Sequence, residues 1–208
     1  MKSSYVCLLY IDSVNQAERN KPGWATSVKT LLCSIGMGEA WYNQGVGHPE
    51  IFLKLLKQRL HDNFVQDWNA RLESSSRARF YRSIKLNFDR SIYLSKVTAI
   101  QHRISMSRLI VSSHSLHVET GRWRRPNPTP PEERFCPNCP RKIEDEYHFI
   151  MECTLNSELR KKFIPKKFWD RPSMQNLVNL FNSSDKKTLI GLSKFIHLAF
   201  KVRDEIPQ

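Results

Sequence analysis

An all-α fold is predicted for this 208-residue chain by three observations. Apolar residues recur at intervals of three and four over most of its length, the spacing that lines one face of a helix. Runs that would read as strands are few. Only seven glycines are present, which disfavours the many tight turns of a sheet-rich chain. With 40% hydrophobic residues, five tryptophans and eleven phenylalanines, there is apolar surface enough for one sizeable domain or two small ones.

The elements follow from local signals. Lys21-Pro22-Gly23 breaks the chain before a helix that carries Trp24, Val28, Leu31, Leu32 and Ile35 on one face. Gly36 and Gly38 stop it. A short aromatic segment, residues 39–43, leads to Gly45-Val-Gly47. Pro49 opens the longest periodic run, with Phe52, Leu55, Leu56, Leu60, Phe64, Trp68 and Leu72 at three- and four-residue steps. Ser74-Ser-Ser76 recaps the chain for a basic helix bearing Arg77, Arg79, Arg82 and Lys85. A further helix is expected over residues 91–111, anchored by Ile92, Val97, Ile100, Ile104 and Leu109. Extended or turn structure is expected over 114–125. Four prolines in residues 126–131 cannot form helix and read as a linker. Past residue 153, helices are expected near 157–163, near 173–181 and from Asp185 onward, where Leu189, Leu192, Ile196, Ala199 and Phe200 share a face. The domain reading is a basic helical region over 1–125, a linker over 126–133, a knuckle over 134–160 and C-terminal helices over 161–208.

The knuckle rests on Cys136-Pro-Asn-Cys139, eight residues, His148, four residues, Cys153. Four soft ligands within 18 residues match what a tetrahedral zinc ion needs. The Cys-x-x-Cys turn brings two thiolates together. Acids lead apolar residues over 144–153, which reads as a short helix. Positions five apart are well off one α-helical face, so His148 belongs on the helix and Cys153 at or past its end. Three cysteines and one histidine close the site, which makes it structural rather than catalytic. Zinc binding of this kind contributes ~10–16 kcal/mol in favourable cases, so residues 134–153 should be disordered without metal. Cys7 and Cys33 lie far from the cluster and are expected to pack inside as free thiols. Five cysteines and no secretory signal argue against disulfides.

Charge is uneven. The formal net charge is +13, and residues 71–125 hold twelve Lys and Arg against three Asp and Glu. Arginine forks onto phosphate and stacks on bases, so this stretch reads as a polyanion-binding surface. Its aromatics Phe80, Tyr81, Phe88 and Tyr93 have helical spacing and read as core. Candidate nucleic-acid contacts are Arg122, Trp123, Arg124 and Arg125, on a segment not expected to be helical, then Arg103 and Arg108 on the preceding helix. Trp123 reads equally well as a packing anchor. His102, His114 and His197 carry no motif. The run from Tyr5 to Ile11 is too short to span a membrane and lacks a signal-cleavage pattern. An intracellular protein is expected, nucleus or cytoplasm not distinguished.

The segment Leu109-Ile-Val-Ser-Ser-His-Ser-Leu-His-Val-Glu-Thr-Gly-Arg122, the proline linker, Glu-Glu-Arg-Phe-Cys136-Pro-Asn-Cys139, Ile-Glu-Asp-Glu-Tyr-His148-Phe-Ile-Met-Glu-Cys153 and Leu159-Arg160 together resemble a known region. It is the part downstream of the polymerase domain in non-LTR (LINE-type) retrotransposon reverse transcriptases. The likeness is tight over residues 100–160 and looser over 24–93 and 173–200. It implies a Cys-Cys-His-Cys zinc knuckle, a thumb- or connector-like body before it, RNA template or target DNA as partner, and a reverse transcriptase supplied in trans. A polymerase palm needs adjacent aspartates for catalytic magnesium, and the chain contains no Asp-Asp pair. Tyr10-Ile-Asp12-Ser departs from that motif at its last position, and neither endonuclease type of the family is visible. The expectation is therefore a truncated or derived copy without catalysis.

Two other readings stand beside it. His117-Val-Glu119 followed by Cys136-x-x-Cys139 mimics the zinc deaminase pattern. Phe135 replaces the proline expected there, however, and His148 and Cys153 are left unexplained. A zinc-stabilised protein-interaction module is the other, with Glu144, Asp145 and Glu146 pairing with nearby arginines instead of leaving the basic surface open.

Overall fold

Every regular element among the described residues is helical, as the three-and-four spacing requires. The computed structural model describes residues 5–85 and 87–206. One isolated antiparallel bridge, Phe135 to Ile143, is the only β pairing among them. The chain divides into two units, Met1–Ala70 and Arg71–Gln208. None of the described helices is long and apolar enough to cross a membrane.

The first unit holds α1 (Tyr5–Glu18), α2 (Trp24–Ser34), α3 (Gly38–Tyr42) and most of α4 (Pro49–Ser74). Proline opens α4 because the first helical residue needs no intrahelical N–H partner. Gly36 ends α2 with φ 72°. That left-handed turn lets the Met37 and Gly36 amides donate to the carbonyls of Leu32 and Cys33 at 2.8 and 3.2 Å, a Schellman closure. Ala17, Ala25, Leu32 and Trp41 form a small core, with Val14, Met37, Ala40, Phe52 and Leu56 packed against it. The Trp41 indole donates to Glu18 at 2.8 Å, and Lys29 pairs with the same carboxylate at 3.0 Å. Sequence periodicity overstates this core. Trp24, Val28 and Leu31 are exposed, and α4 buries none of its residues. Cys7 and Cys33, expected inside, are both exposed. The reason is the same in each case: a core of only four buried residues cannot cover every apolar stripe.

The second unit is built around α12 (Lys186–Asp204). Its residues Leu189, Leu192, Phe195, Ile196 and Ala199 are fully buried, a stripe with the three-and-four step of a core helix. Asp185 caps it, accepting from the Lys187 and Thr188 amides at 3.3 and 2.9 Å. Against α12 pack α6 (Tyr93–Lys96), α7 (Ile100–Ile110), α9 (Ser157–Phe163) and α11 (Met174–Phe181). Around them stand α5 (Arg79–Ile84), α8 (His117–Thr120) and α10 (Lys166–Trp169).

The single helix expected over 91–111 is two helices, broken at Val97. Val97 is extended, with ψ 105°, and its side chain is buried in the core. A β-branched residue loses little by leaving the helix, and burial favours that conformation. The segment expected to be extended or turn, residues 114–125, contains the one-turn helix α8. Of the aromatics read as core, Phe80 and Tyr93 are buried and Tyr81 packs against the core. Phe88 is exposed instead.

Candidate metal centre and the basic segment beside it

The knuckle begins as a tight hairpin. The Cys136 amide donates to the Lys142 carbonyl at 2.7 Å and the Glu144 amide to the Arg134 carbonyl at 2.8 Å. Between them the Lys142 amide reaches the Cys139 carbonyl at 3.2 Å, and Arg141 turns the chain at φ 65°. The predicted short helix over 144–153 is realised as one π-helical turn, His148–Glu152. Its closing bond runs from the Cys153 amide to the His148 carbonyl at 2.7 Å. In an α-helix, residues five apart are rotated about 140° from alignment. An i to i+5 bond brings the fifth residue back beneath the first, so His148 and Cys153 face the same point. Asp145 starts the turn by accepting from the His148 amide at 2.8 Å.

The ligand atoms of Cys136, Cys139, His148 and Cys153 all lie within 4.8 Å of one another. The Cys153 sulfur stands 3.9 Å from that of Cys136 and 3.8 Å from that of Cys139. A tetrahedron of roughly 2.3 Å metal–sulfur bonds has edges of about 3.8 Å, whereas a disulfide would bring two sulfurs to about 2.05 Å. The remaining vertex is equally well prepared. His148 Nε2 is buried with no hydrogen-bond partner among the described residues, while Nδ1 faces Glu152 at 3.5 Å. A carboxylate behind the imidazole is the usual way a ligating histidine has its tautomer fixed. The residues present therefore fit a tetrahedral metal ion.

The sulfurs differ in their environments. Burial pushes the Cys139 thiol up, but hydrogen bonds from the Thr154 hydroxyl, the Thr154 amide and Asn138 outweigh it and bring the pKa to about 6. Burial raises Cys136. Burial and then the charge of Cys136 push Cys153 up to about 12. Three thiols in one pocket cannot ionise together without a balancing cation, and a divalent ion supplies that balance.

A supporting shell was not visible as such in the sequence. Arg160, itself buried, donates through Nε to the Ile150 carbonyl at 2.6 Å and through Nη2 to the Cys153 carbonyl at 2.8 Å. Asn156 donates to the Phe149 carbonyl at 3.0 Å. These side chains satisfy carbonyls that a single helical turn leaves open. Phe149, Ile150 and Met151 point into the main core, so the knuckle is continuous with the second unit and is not an appendage on a linker.

The three acids before His148 are tied inward. Glu144, buried, receives Arg203 Nε and Nη2, the latter at 3.0 Å, and the His117 amide at 2.8 Å. Glu146 receives Arg79 at 3.1 Å and faces His114 at 3.3 Å. His117 turns its Nδ1 to the Phe135 carbonyl at 2.6 Å, and Glu119 pairs with Arg122 at 3.3 Å. The metal set thus groups the Cys pair with His148 and Cys153, and His117 lies outside it.

The candidate nucleic-acid contacts fall into two groups. Arg122 is bonded within the fold, to the Val118 carbonyl at 3.2 Å and to the Ser76 hydroxyl and carbonyl at 2.9 and 3.1 Å. Arg103 donates to the Val97 carbonyl at 3.3 Å, bracing the break between α6 and α7. Trp123, Arg124, Arg125 and Arg108 are exposed. Trp123 is 61% exposed, so it is not a packing anchor, and Arg77 lies over its ring at 5.5 Å. No family model matches the chain, and neither curated proteins nor solved structures gave a match.

Proposed function

We propose that residues 71–208 are a zinc-stabilised module that binds nucleic acid and performs no chemistry of its own. The observation that carries this reading is the gathering of three sulfurs and one imidazole nitrogen within 4.8 Å in the unit that also holds the basic stretch. A Cys₃His set favours zinc among the common divalent ions, and four protein ligands leave no position open for substrate. The ion's part is to hold the hairpin against the π turn. Arg122 anchors the segment that displays Trp123, Arg124 and Arg125 toward a phosphate backbone. The sequence resemblance to LINE-type reverse transcriptases gives this module a context: an RNA template or target DNA, and a polymerase supplied in trans.

A zinc-stabilised protein-interaction module is the second reading. It is favoured by the arginines already bonded inside the fold, Arg122, Arg134, Arg160 and Arg203, which are not available to phosphate. One experiment separates the readings. Purified protein should carry one zinc per chain, lost in His148→Ala and retained in His117→Ala. Titrated with RNA and DNA at two salt concentrations, the zinc-loaded protein should bind with an affinity that drops steeply as salt rises. Folded, zinc-loaded protein that binds neither at low salt is the interaction module. Zinc lost in His117→Ala and kept in His148→Ala would restore the deaminase-like ligand set.

A further inference from the structure

A cavity of about 570 Å³ opens in the second unit beside Trp123, within the range of small-ligand sites. Three cations line it, Arg77, Arg108 and Lys201. Arg108 and Lys201 are exposed and make no ion pair among the described residues. Its two acids are already engaged: Glu119 with Arg122 at 3.3 Å, and Asp204 with the Ser115 hydroxyl at 2.8 Å. Two of its lining residues also carry buried polar side chains. The His114 side chain is 1% exposed and that of Glu119 is 5% exposed. His114 Nδ1 and Glu119 Oε2 are both buried without a hydrogen-bond partner among the described residues. Buried polar atoms are nearly always paired, so two orphans on residues of one cavity wall mark that wall as polar.

Trp123 is also a wall of a second cavity of about 470 Å³, which the exposed Arg124 lines as well. An exposed indole carrying a guanidinium, flanked by cations on both sides, matches a polymer that alternates flat bases with phosphates.

We propose that the cavity beside Trp123 takes one unpaired nucleotide of a single strand, its base on the Arg77–Trp123 platform and its phosphate toward Arg108 and Lys201. This rests on the nucleic-acid reading above and sharpens it. A duplex keeps its bases stacked on one another and cannot enter, so the site selects single strands. A phosphopeptide would engage the cations but has no flat ring to place on the platform.

Three probes test it with the full-length, zinc-loaded chain: a short single-stranded oligonucleotide, the duplex of the same sequence, and a nucleoside monophosphate. The single strand should bind at least about 10-fold tighter than the duplex. Trp123→Ala should lower single-strand affinity about 10-fold and duplex affinity by clearly less, while Trp123→Phe keeps most of the single-strand affinity. The Arg108→Gln, Lys201→Gln double variant should weaken the single strand more than the duplex. Zinc content and melting temperature confirm that each variant folds, as exposed positions lead one to expect. Equal affinity for single strand and duplex, or equal losses for both in Trp123→Ala, overturns the cavity assignment and leaves general nucleic-acid binding standing. A monophosphate that binds as tightly as the strand overturns it in favour of a free-nucleotide site. Binding of none of the probes at low salt sinks this inference and the nucleic-acid reading together.

Discussion

Single residues carry more of the metal centre than its four ligands do. Glu144 joins the end of α12 to the hairpin, and its partner Arg203 is 1% exposed. A buried ion pair adds little over an apolar pair of the same shape, but removing one partner strands the other charge in the interior. Arg203→Met should therefore destabilise the second unit by about 3–5 kcal/mol, measured by denaturant unfolding. Adding Glu144→Gln to that variant should recover part of the loss. That residues 144–146 pair with arginines was one of the readings open in sequence, but which arginine Glu144 takes was not legible. The ligands announce themselves by spacing, since Cys-x-x-Cys and His-x₄-Cys are local patterns. Glu144 and Arg203 are 59 residues apart, and no local rule links them. Glu144 and Asp145 read as helix-leading acids; Asp145 does hold the His148 amide, but Glu144 serves a long-range pair instead.

Helices were the most readable level, and their ends the next. Proline at the start of α4, Gly36 after α2 and Asp185 before α12 mark boundaries by local backbone chemistry, and the structure uses all three. The break at Val97 was not readable, because it depends on a core that only tertiary packing creates. Gly191 shows the same limit from the other side. In mid-helix, glycine to alanine ordinarily stabilises by up to about 1 kcal/mol. Here a Cβ would stand 2.3 Å from the Phe163 carbonyl oxygen, where α12 crosses α9. Gly191→Ala should instead destabilise by about 1–3 kcal/mol, and a rise in melting temperature would show that α9 can move aside. Asp185 makes the α12 start sensitive to acid. Its hydrogen bonds from Thr188 hold its carboxyl below the ordinary value of 3.8. The folded pKa is the lower one, so the stabilisation is full above 3.8 and is lost as pH falls through the folded value. Wild-type protein should lose more melting temperature on acidification than Asp185→Asn, whose cap does not titrate.

Across the whole molecule, the sequence was a good guide to class and a poor guide to burial. Apolar spacing specified helices in both units, yet spacing cannot say whether a partner face exists. In Met1–Ala70 a core of four residues leaves Trp24 exposed and no residue of α4 fully buried; in Arg71–Gln208 α12 supplies a partner for nearly every neighbour. The metal site was legible because its ligands are close in sequence, and the Trp123 cavity was not, because its lining is drawn from residues 77 to 204. The two exposed cysteines, Cys7 and Cys33, and the three gathered at the metal centre divide the thiols of the chain into two reactive populations. Iodoacetamide added to native, metal-loaded protein should label the first pair quickly and spare the other three, and mass spectrometry after chelation should find all five modified. Five labels before chelation would mean the cluster holds no ion. The ratio of fast to slow alkylation then becomes a gauge of occupancy that needs no knowledge of what the protein binds.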